Sequence, residues 1–531
     1  MEDIGRLDCV CKALHRGYVP PPPPPPQAPP VEEALRQRAA SAGYPLPDSL
    51  PDGEHSWTQK LCWDERRRRF GERAVVAGGM YHSVFIEGDG TLLTCGSATL
   101  DGGRPGLLGH GTSVEVIETP RAVPGLLGVR VRTIAAAEYH SLAVSEEGVG
   151  YSWGYGGLGR LGHGDETDVH SPRQVAYPFG VTAGSSAAVV ASAAGAMGGL
   201  AALSLAAATQ HHLEGSHASA GSGDGGGASG GARGGARGGG SGVRVVACAA
   251  ANCHTLLLSS TGLVCSFGYG GSGRLGLGPA IDDTRQLSPK VMDGLVDAHV
   301  SVRAVAAGTY HSLLLAADGV LYSCGEGGLG QLGHGERVAN VFTPKPISAL
   351  RDANVRVVAI AAARLHSCCV DSDGVAYSWG DGLDGRLGHG DASPSFVPRR
   401  ICGFGGQRVC AVSCVWDHTV ALTDGGAVFS WGLGHCGQLG HGEGQEEKTI
   451  SEPRQIGGVL QEVKIESVAA GHHHCFAVAS DGRLFGWGLG RTTEEEKVDT
   501  LGLRLESNQY QPKMYERLRV SRPQLARAGA A

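Results

Sequence analysis

Seven stretches of the chain repeat one pattern of apolar and polar positions, aligned on a histidine. They begin at Met80, Glu138, Asn252, Thr309, Arg364, Trp416 and His472, and the clearest reads TYHSLLLAADGVLYSCG. Each copy is an apolar run, a tight turn often written Asp-Gly (Asp89-Gly90, Asp318-Gly319, Asp373-Gly374, Asp481-Gly482) and a second apolar run ending in glycine. Two apolar runs joined by such a turn predict a β-hairpin. Small residues precede most of the histidines, as in VVAGG at Val75, IAAA at Ile134 and VAAG at Val305. Inner strands that converge on one axis leave little room for side chains, so this is the composition a closed radial array requires. A glycine-rich turn, usually ending LGHG, and a proline-containing strand such as TPRAV at Thr119 or TPKPI at Thr343 complete each unit. Four strands per unit and seven units predict an all-β fold: a seven-bladed β-propeller of four-stranded blades spanning 74–518, within the roughly four to eight blades usual for this architecture.

The glycine-rich turns also contain a G-x-G-x-x-G spacing, first at Gly154 to Gly159. A dinucleotide cradle needs a helix directly after the loop, to present its N-terminus to the pyrophosphate. Here the chain continues DETDVHSPRQV, and the spacing recurs at Gly268, Gly325, Gly380 and Gly432. A fixed period marks a repeat architecture, so these glycines are read as turns and no nucleotide or other cofactor is expected.

The combined H-S-L, D-G, S-W-G and L-G-H-G pattern resembles the regulator of chromosome condensation repeat family, which implies that family's seven-bladed propeller over roughly Ala74 to Leu518. Two copies depart from it. The third has Leu275-Gly-Leu-Gly278, and the seventh replaces the glycine-rich turn with GRTTEEEKVDTLGLR. The repeat histidines and those of LGHG (His110, His163, His334, His389, His441) stand one per blade, so they do not converge on one ion, and no metal site is read from them. Trp153, Trp379, Trp431 and Trp487 are read as blade packing.

Successive repeat histidines lie 52 to 58 residues apart, except that His140 and His254 are 114 apart. The second repeat therefore carries an insert, 180–242, whose Ala- and Gly-rich composition buries no core and predicts disorder. Its Arg233 and Arg237 faintly resemble Arg-Gly-Gly tails. Residues 1–73 form an N-terminal extension of helical or disordered character around a polyproline run, Pro20 to Pro26, which predicts a stiff spacer. The flanking IGRLDCVCKALHRG and SWTQKLCWDERRRR together resemble the C-terminal half of an F-box, lacking its leading helix and split by about forty residues. Residues 519–531 are read as a tail.

Composition narrows the partners. A net charge of −7 supplies no overall basic field, so nucleic acid is not an expected partner. The 15 cysteines are odd in number and mostly set in apolar runs such as HSCCV at His366, which reads as small buried hydrophobes in a reducing compartment. The start of the chain lacks a basic n-region leading into an apolar run, and the uncharged Val181 to Leu213 stretch belongs to the insert, so a cytoplasmic or nuclear, monomeric protein without a membrane span is expected.

No catalytic set is legible, and the reading is a non-enzymatic protein-interaction scaffold. If the F-box half-motif operates, the chain is the substrate-recognition subunit of a cullin-type ubiquitin ligase and binds a Skp-type adaptor. The alternative is nucleotide exchange on a Ran-type small GTPase. That activity uses acidic side chains just before the repeat histidines, and here those positions hold Tyr81, Tyr139, Cys253, Tyr310, Leu365, Asp417 and His473, of which only Asp417 is an acid. A light-sensing role, which in this family uses Trp-Arg-His-Thr in successive blades, finds only Trp416-Asp-His-Thr419. The candidate binding surface is the rim formed by Tyr81, Tyr139, Tyr310, Trp416, Asp417 and His473, with Trp416 and Asp417 at its centre because aromatic anchors dominate interface energy.

Overall fold

The computed structural model describes residues 75–98, 106–178, 243–335, 337, 339–442, 449–490, 500–503, 505 and 507–520. The expectations for 1–73, for 180–242 and for the tail beyond 520 lie outside these residues.

Seven four-stranded antiparallel sheets, each built from one contiguous stretch, make a seven-bladed β-propeller. The blades span Val76–Ala122, Val131–Gln174, Val245–Val291, Val302–Pro346, Val357–Arg400, Val409–Gln455 and Ile465–Arg519. Two short α-helices, Asp293–Asp297 and Ser348–Asp352, link the third to the fourth blade and the fourth to the fifth. Among the described residues no helix is long and apolar enough to cross a membrane.

Position within a blade explains the sequence pattern. The second strand is buried throughout, as in His311–Ala316, because each of its faces meets a neighbouring sheet. The outermost strand is largely exposed and carries a proline in every blade, from Pro120 to Pro512, where a missing N–H costs no ladder bond and blunts the free edge. The innermost strands line an axial cavity of about 330 Å3, and their alanines keep it open. No single core exists. Seven separate hydrophobic clusters fill the seven spaces between adjacent blades, for example Val84, Ile86 and Leu92 against Val131, Ile134 and Trp153.

Those spaces are bridged by a closed ring of side-chain hydrogen bonds. His82 Nε2 lies 2.7 Å from Ser141 Oγ, His140 Nε2 2.8 Å from Thr255 Oγ1, and His254 Nε2 2.9 Å from Ser312 Oγ. His311 then reaches Ser367 at 2.7 Å, His366 reaches Thr419 at 3.0 Å and His418 reaches Cys475 Sγ at 3.2 Å. The ring closes at His474 Nε2, 3.1 Å from Ser83 Oγ. Every repeat histidine therefore bonds the side chain that follows the histidine of the next blade.

Each bridging hydroxyl, and the Cys475 thiol, donates in turn to a loop carbonyl of the preceding blade, as Ser367 does to Gln331 at 2.8 Å. Having spent its only proton there, the hydroxyl must accept from the imidazole, which fixes the neutral tautomer with hydrogen on Nε2. The Trp379 indole N–H donates to the same Gln331 carbonyl at 2.9 Å, and Trp153, Trp431 and Trp487 repeat this arrangement. Burial pushes the imidazole pKa values down, to about 4 for His82 and about 3 for His311, His418 and His474.

The LGHG histidines form a second, intrablade set. His163 Nε2, for instance, lies 2.9 Å from Ser152 Oγ, whose hydroxyl donates to the Leu161 carbonyl. In the third blade Leu277 replaces this histidine while Ser266 keeps its bond to the Leu275 carbonyl.

Among the described residues no strand is exchanged between the first and last blades. Their seam is held by the ring bond, by the Ser83 hydroxyl donating to the Thr500 carbonyl at 2.6 Å, and by a bridge between Glu87 and Val520. Phe85 packs edge-on against Phe476 at 5.4 Å between ring centres. The seventh blade is four-stranded despite its divergent turn; its outer strand, Gln509–Arg519, is eleven residues long and buries Tyr515 in the seam cluster.

Two predictions follow from the ring. Below pH 6.5 the unfolded chain binds protons that the buried imidazoles refuse, so stability falls as pH drops from 6.5 toward 4, by about 1 kcal/mol per ring histidine over the first pH unit. Urea midpoints measured between pH 7.5 and 5 should decline steadily; a flat profile would contradict neutral buried imidazoles. Ser367→Ala leaves the His311 N–H without an acceptor and should cost about 1–3 kcal/mol, read by urea unfolding at neutral pH.

Candidate functional site

One face of the propeller carries both the turn before each repeat histidine and the glycine-rich loop after the third strand. Backbone bonds tie the two together in every blade. The carbonyl of the residue before the histidine accepts from the amide that follows the third-strand glycine: Tyr139 from Tyr155 at 2.8 Å, Tyr310 from Glu326 at 3.0 Å, Asp417 from Leu433 at 2.9 Å, His473 from Leu489 at 2.8 Å. That glycine is obligatory. Gly96 has φ +109°, and a Cβ there would stand 2.2 Å from the Tyr81 carbonyl oxygen. Because the backbone does the structural work at these rim positions, their side chains are free to differ between blades.

They sort into three sectors. In the second to fourth blades, tyrosines sandwich buried arginines. The Arg160 guanidinium stands 5.0 Å from the Tyr139 ring and 4.6 Å from Tyr155, and Arg274 stands 5.1 Å from Tyr269 and 5.3 Å from Tyr310. Cation–π contact and carbonyl acceptors, Asn252 at 2.7 Å and Thr309 at 2.9 Å, hold these cations without a direct carboxylate bond. Burial and hydrogen bonding to Glu138 push the Tyr139 hydroxyl pKa up.

The second sector joins the fifth and sixth blades. Arg386 lies 3.0 Å from carboxylate oxygens of Asp381, Asp384 and Asp417. Its side chain is 4% exposed and that of Asp381 9%, so the pair is desolvated and mutually dependent.

The third sector is aromatic. Trp416 lies at the mouth of the axial cavity with its ring centre 5.0 Å from that of His472 and 6.0 Å from that of His473. Arg364 covers the indole at 4.7 Å. Trp416 has φ +53°, a left-handed backbone that costs a non-glycine residue about 1–3 kcal/mol. Burial lowers the His473 pKa, with Asp417 acting in the opposite direction.

Of the expected rim residues, Trp416, Asp417 and His473 come together. Tyr139 and Tyr310 belong to separate tyrosine–arginine sandwiches, and Tyr81 stands on the first blade. Sequence reasoning missed the arginines, although the signal was available: Arg160, Arg274 and Arg386 each precede Leu-Gly in a glycine-rich turn, where the fourth and sixth repeats have Gln331 and Gln438. It also missed that in six of the seven blades the residue two before the histidine, not one, edges the cavity, as Glu138, Asn252, Thr309, Arg364, Trp416 and His472 do.

Fold and rim define a propeller scaffold for protein interaction. The family model for the RCC1-like domain matches residues 215–531, and that for the regulator of chromosome condensation (RCC1) repeat matches 89–144 and 147–202. The chain belongs to this family. It is 30% identical over 363 residues to the ultraviolet-B receptor UVR8 of Arabidopsis thaliana, covering 68% of this chain and 66% of that protein. It is also 30% identical over 403 residues to the human E3 ubiquitin-protein ligase HERC2, covering 75% of this chain but 7% of the ligase. Among solved structures it resembles Prp20p from Saccharomyces cerevisiae, a protein with binding properties to Gsp1p and histones, with TM-score 0.59, 20% identity and coverage of 85% of this chain and 88% of that one. Human WBSCR16 shares the fold at TM-score 0.55 and 21% identity, over 76% of this chain and 87% of that one.

Removing the central cation separates buried from exposed ion pairing. Arg386→Met strands Asp381 and should destabilise by about 3 kcal/mol. Arg285→Met, which breaks an exposed pair with Glu166, should cost less than about 1 kcal/mol by the same urea titration.

Proposed function

We propose that this protein is a recognition platform that docks a protein partner on the rim, with Trp416 as the anchor. The observation that carries this reading is the indole itself: half-buried at the cavity mouth, held on a strained backbone, with Arg364 across its face and Asp417 beside it. Strain retained at an accessible aromatic is characteristic of a site selected for contact, and a rigid aromatic next to charged groups is the composition of an interface hot spot. The strand ends that flank the insert in the chain, Gln174 and Val245, lie at the face opposite this rim.

Within that reading the chain serves as the substrate-recognition subunit of a ubiquitin ligase. The F-box-like half-motif, which lies outside the described residues, and the kinship with HERC2 support this role. Exchange on a Ran-type GTPase is the second reading, supported by the fold shared with Prp20p. It is the weaker of the two because Asp417, the one acid at the expected position, is engaged by Arg386.

Capture from cell lysate tests both. Bait proteins are the full chain, its Trp416→Ala variant and a chain beginning at Ala74, with bound proteins identified by mass spectrometry. Trp416→Ala should weaken partner retention at least tenfold at unchanged circular dichroism. The Skp-type adaptor should appear with the full chain and not with the shortened one. Partners retained equally by Trp416→Ala would refute the rim, and an adaptor absent from both unsubstituted baits would refute the ligase role.

A further inference from the structure

The space between the fifth and sixth blades differs chemically from the other six. His366, Cys368 and Cys414 are all buried there, and their ligand atoms lie within 4.8 Å of one another. Cys368 follows the repeat histidine by two residues, where the other blades carry valine, leucine or phenylalanine. Cys414 precedes His418 by four, where the other blades carry alanine or glycine. Two thiols therefore replace two aliphatic positions that face each other across a single seam. Packing alone does not call for this, since the other seams close without them.

The imidazole is already prepared. His366 Nε2–H donates to Thr419 Oγ1 at 3.0 Å, so Nδ1 keeps its lone pair, and that atom is buried without a hydrogen-bond partner. A second-shell bond of this kind is what orients a metal-binding histidine and fixes its tautomer. The imidazoles of five other blades share this state but have no thiols at the two corresponding positions.

We infer that the His366 imidazole, Cys368 Sγ and Cys414 Sγ form a binding site for one Zn2+ ion. Two thiolates and a neutral imidazole cancel the charge of a divalent cation, which a buried site requires; Cu+ with the same ligands would leave a net negative charge. Tetrahedral ligands at roughly 2.0–2.3 Å from zinc stand about 3.5–3.8 Å apart, so a modest side-chain adjustment completes the site. The two cysteines lose their protons to solvent as two Zn–S bonds form, and no electrons move. Cys414 also lines the axial cavity, which provides the path for the ion and room for a water as fourth ligand. No spacing signal marks such a site, because Cys414 lies 46 residues after Cys368 and outside any short Cys-x-x-Cys pattern.

The test uses the full chain, stripped with a chelator, equilibrated with Zn2+ and desalted, with metal measured by mass spectrometry and stability by thermal unfolding. Cys414→Ala and Cys368→Val install residues that other blades carry at these positions, and each metal-free variant's Tm checks its fold. The unsubstituted protein should retain about one zinc more than either variant, and added Zn2+ should raise its Tm but not theirs. Co2+ should give a thiolate-to-cobalt absorption band that both variants lose. Equal zinc content and equal Tm response in all three proteins would overturn the site. If a variant does not fold, zinc-edge X-ray absorption of the unsubstituted protein decides: sulfur in the coordination shell supports the site, and a shell of nitrogen and oxygen alone overturns it.

Discussion

The structure depends on the hydrogen bond from each repeat histidine to the side chain that follows the next blade's histidine. A four-stranded sheet with a fully buried second strand does not stand alone, and seven such sheets slide unless something sets their spacing. The imidazole does so by reaching across the gap, while the bridging hydroxyl or thiol reaches back to the previous blade's loop carbonyl. Each junction thereby satisfies an imidazole N–H, a bridging group and a carbonyl that would otherwise be buried and unpaired, a deficit of about 1–3 kcal/mol apiece. The same arrangement closes the ring at Ser83 and His474.

Fixing the blades in this way frees the rim. Where the backbone carbonyl before each histidine is already paired, the ring does not dictate the side chain. The seven blades consequently present tyrosine–arginine sandwiches, a carboxylate cluster around Arg386 and the Trp416–His472–His473 group on one rigid frame. In the first two the arginine is enclosed by rings and carbonyls or by carboxylates; the third keeps an aromatic surface beside charge at the cavity mouth. This is why recognition is assigned to that sector and not to the rim as a whole.

Much of the fold was legible because the repeat is local: hairpin, Asp-Gly turn, third-strand glycine and outer-strand proline all lie within one blade's length. The histidines were legible as structural but not their partners, since His311 and Ser367 are 56 residues apart and each looked like half of its own His-Ser pair. The His472 to His474 run divides for the same reason: His474 enters the ring while His472 and His473 stay with the turn and meet Trp416. Asp417 was recognisable as the single rim acid, but its capture by Arg386 was not, because the arginine comes from the preceding blade's loop. The ring bonds and the capture of Asp417 were missed because they join blades, where neighbours in space are a full repeat apart in the chain, whereas the Arg160 sandwich with Tyr139 and Tyr155 lies within one blade.

The measurement that bears most directly on the rim as the recognition surface is amide hydrogen exchange of the full chain, alone and saturated with a captured partner. Added protection is expected in the loops bearing Arg364, Trp416 and His473, with the Asp-Gly turns of the opposite face unchanged. Protection confined to those opposite turns, with the Trp416 loop exchanging as in the free protein, would contradict it.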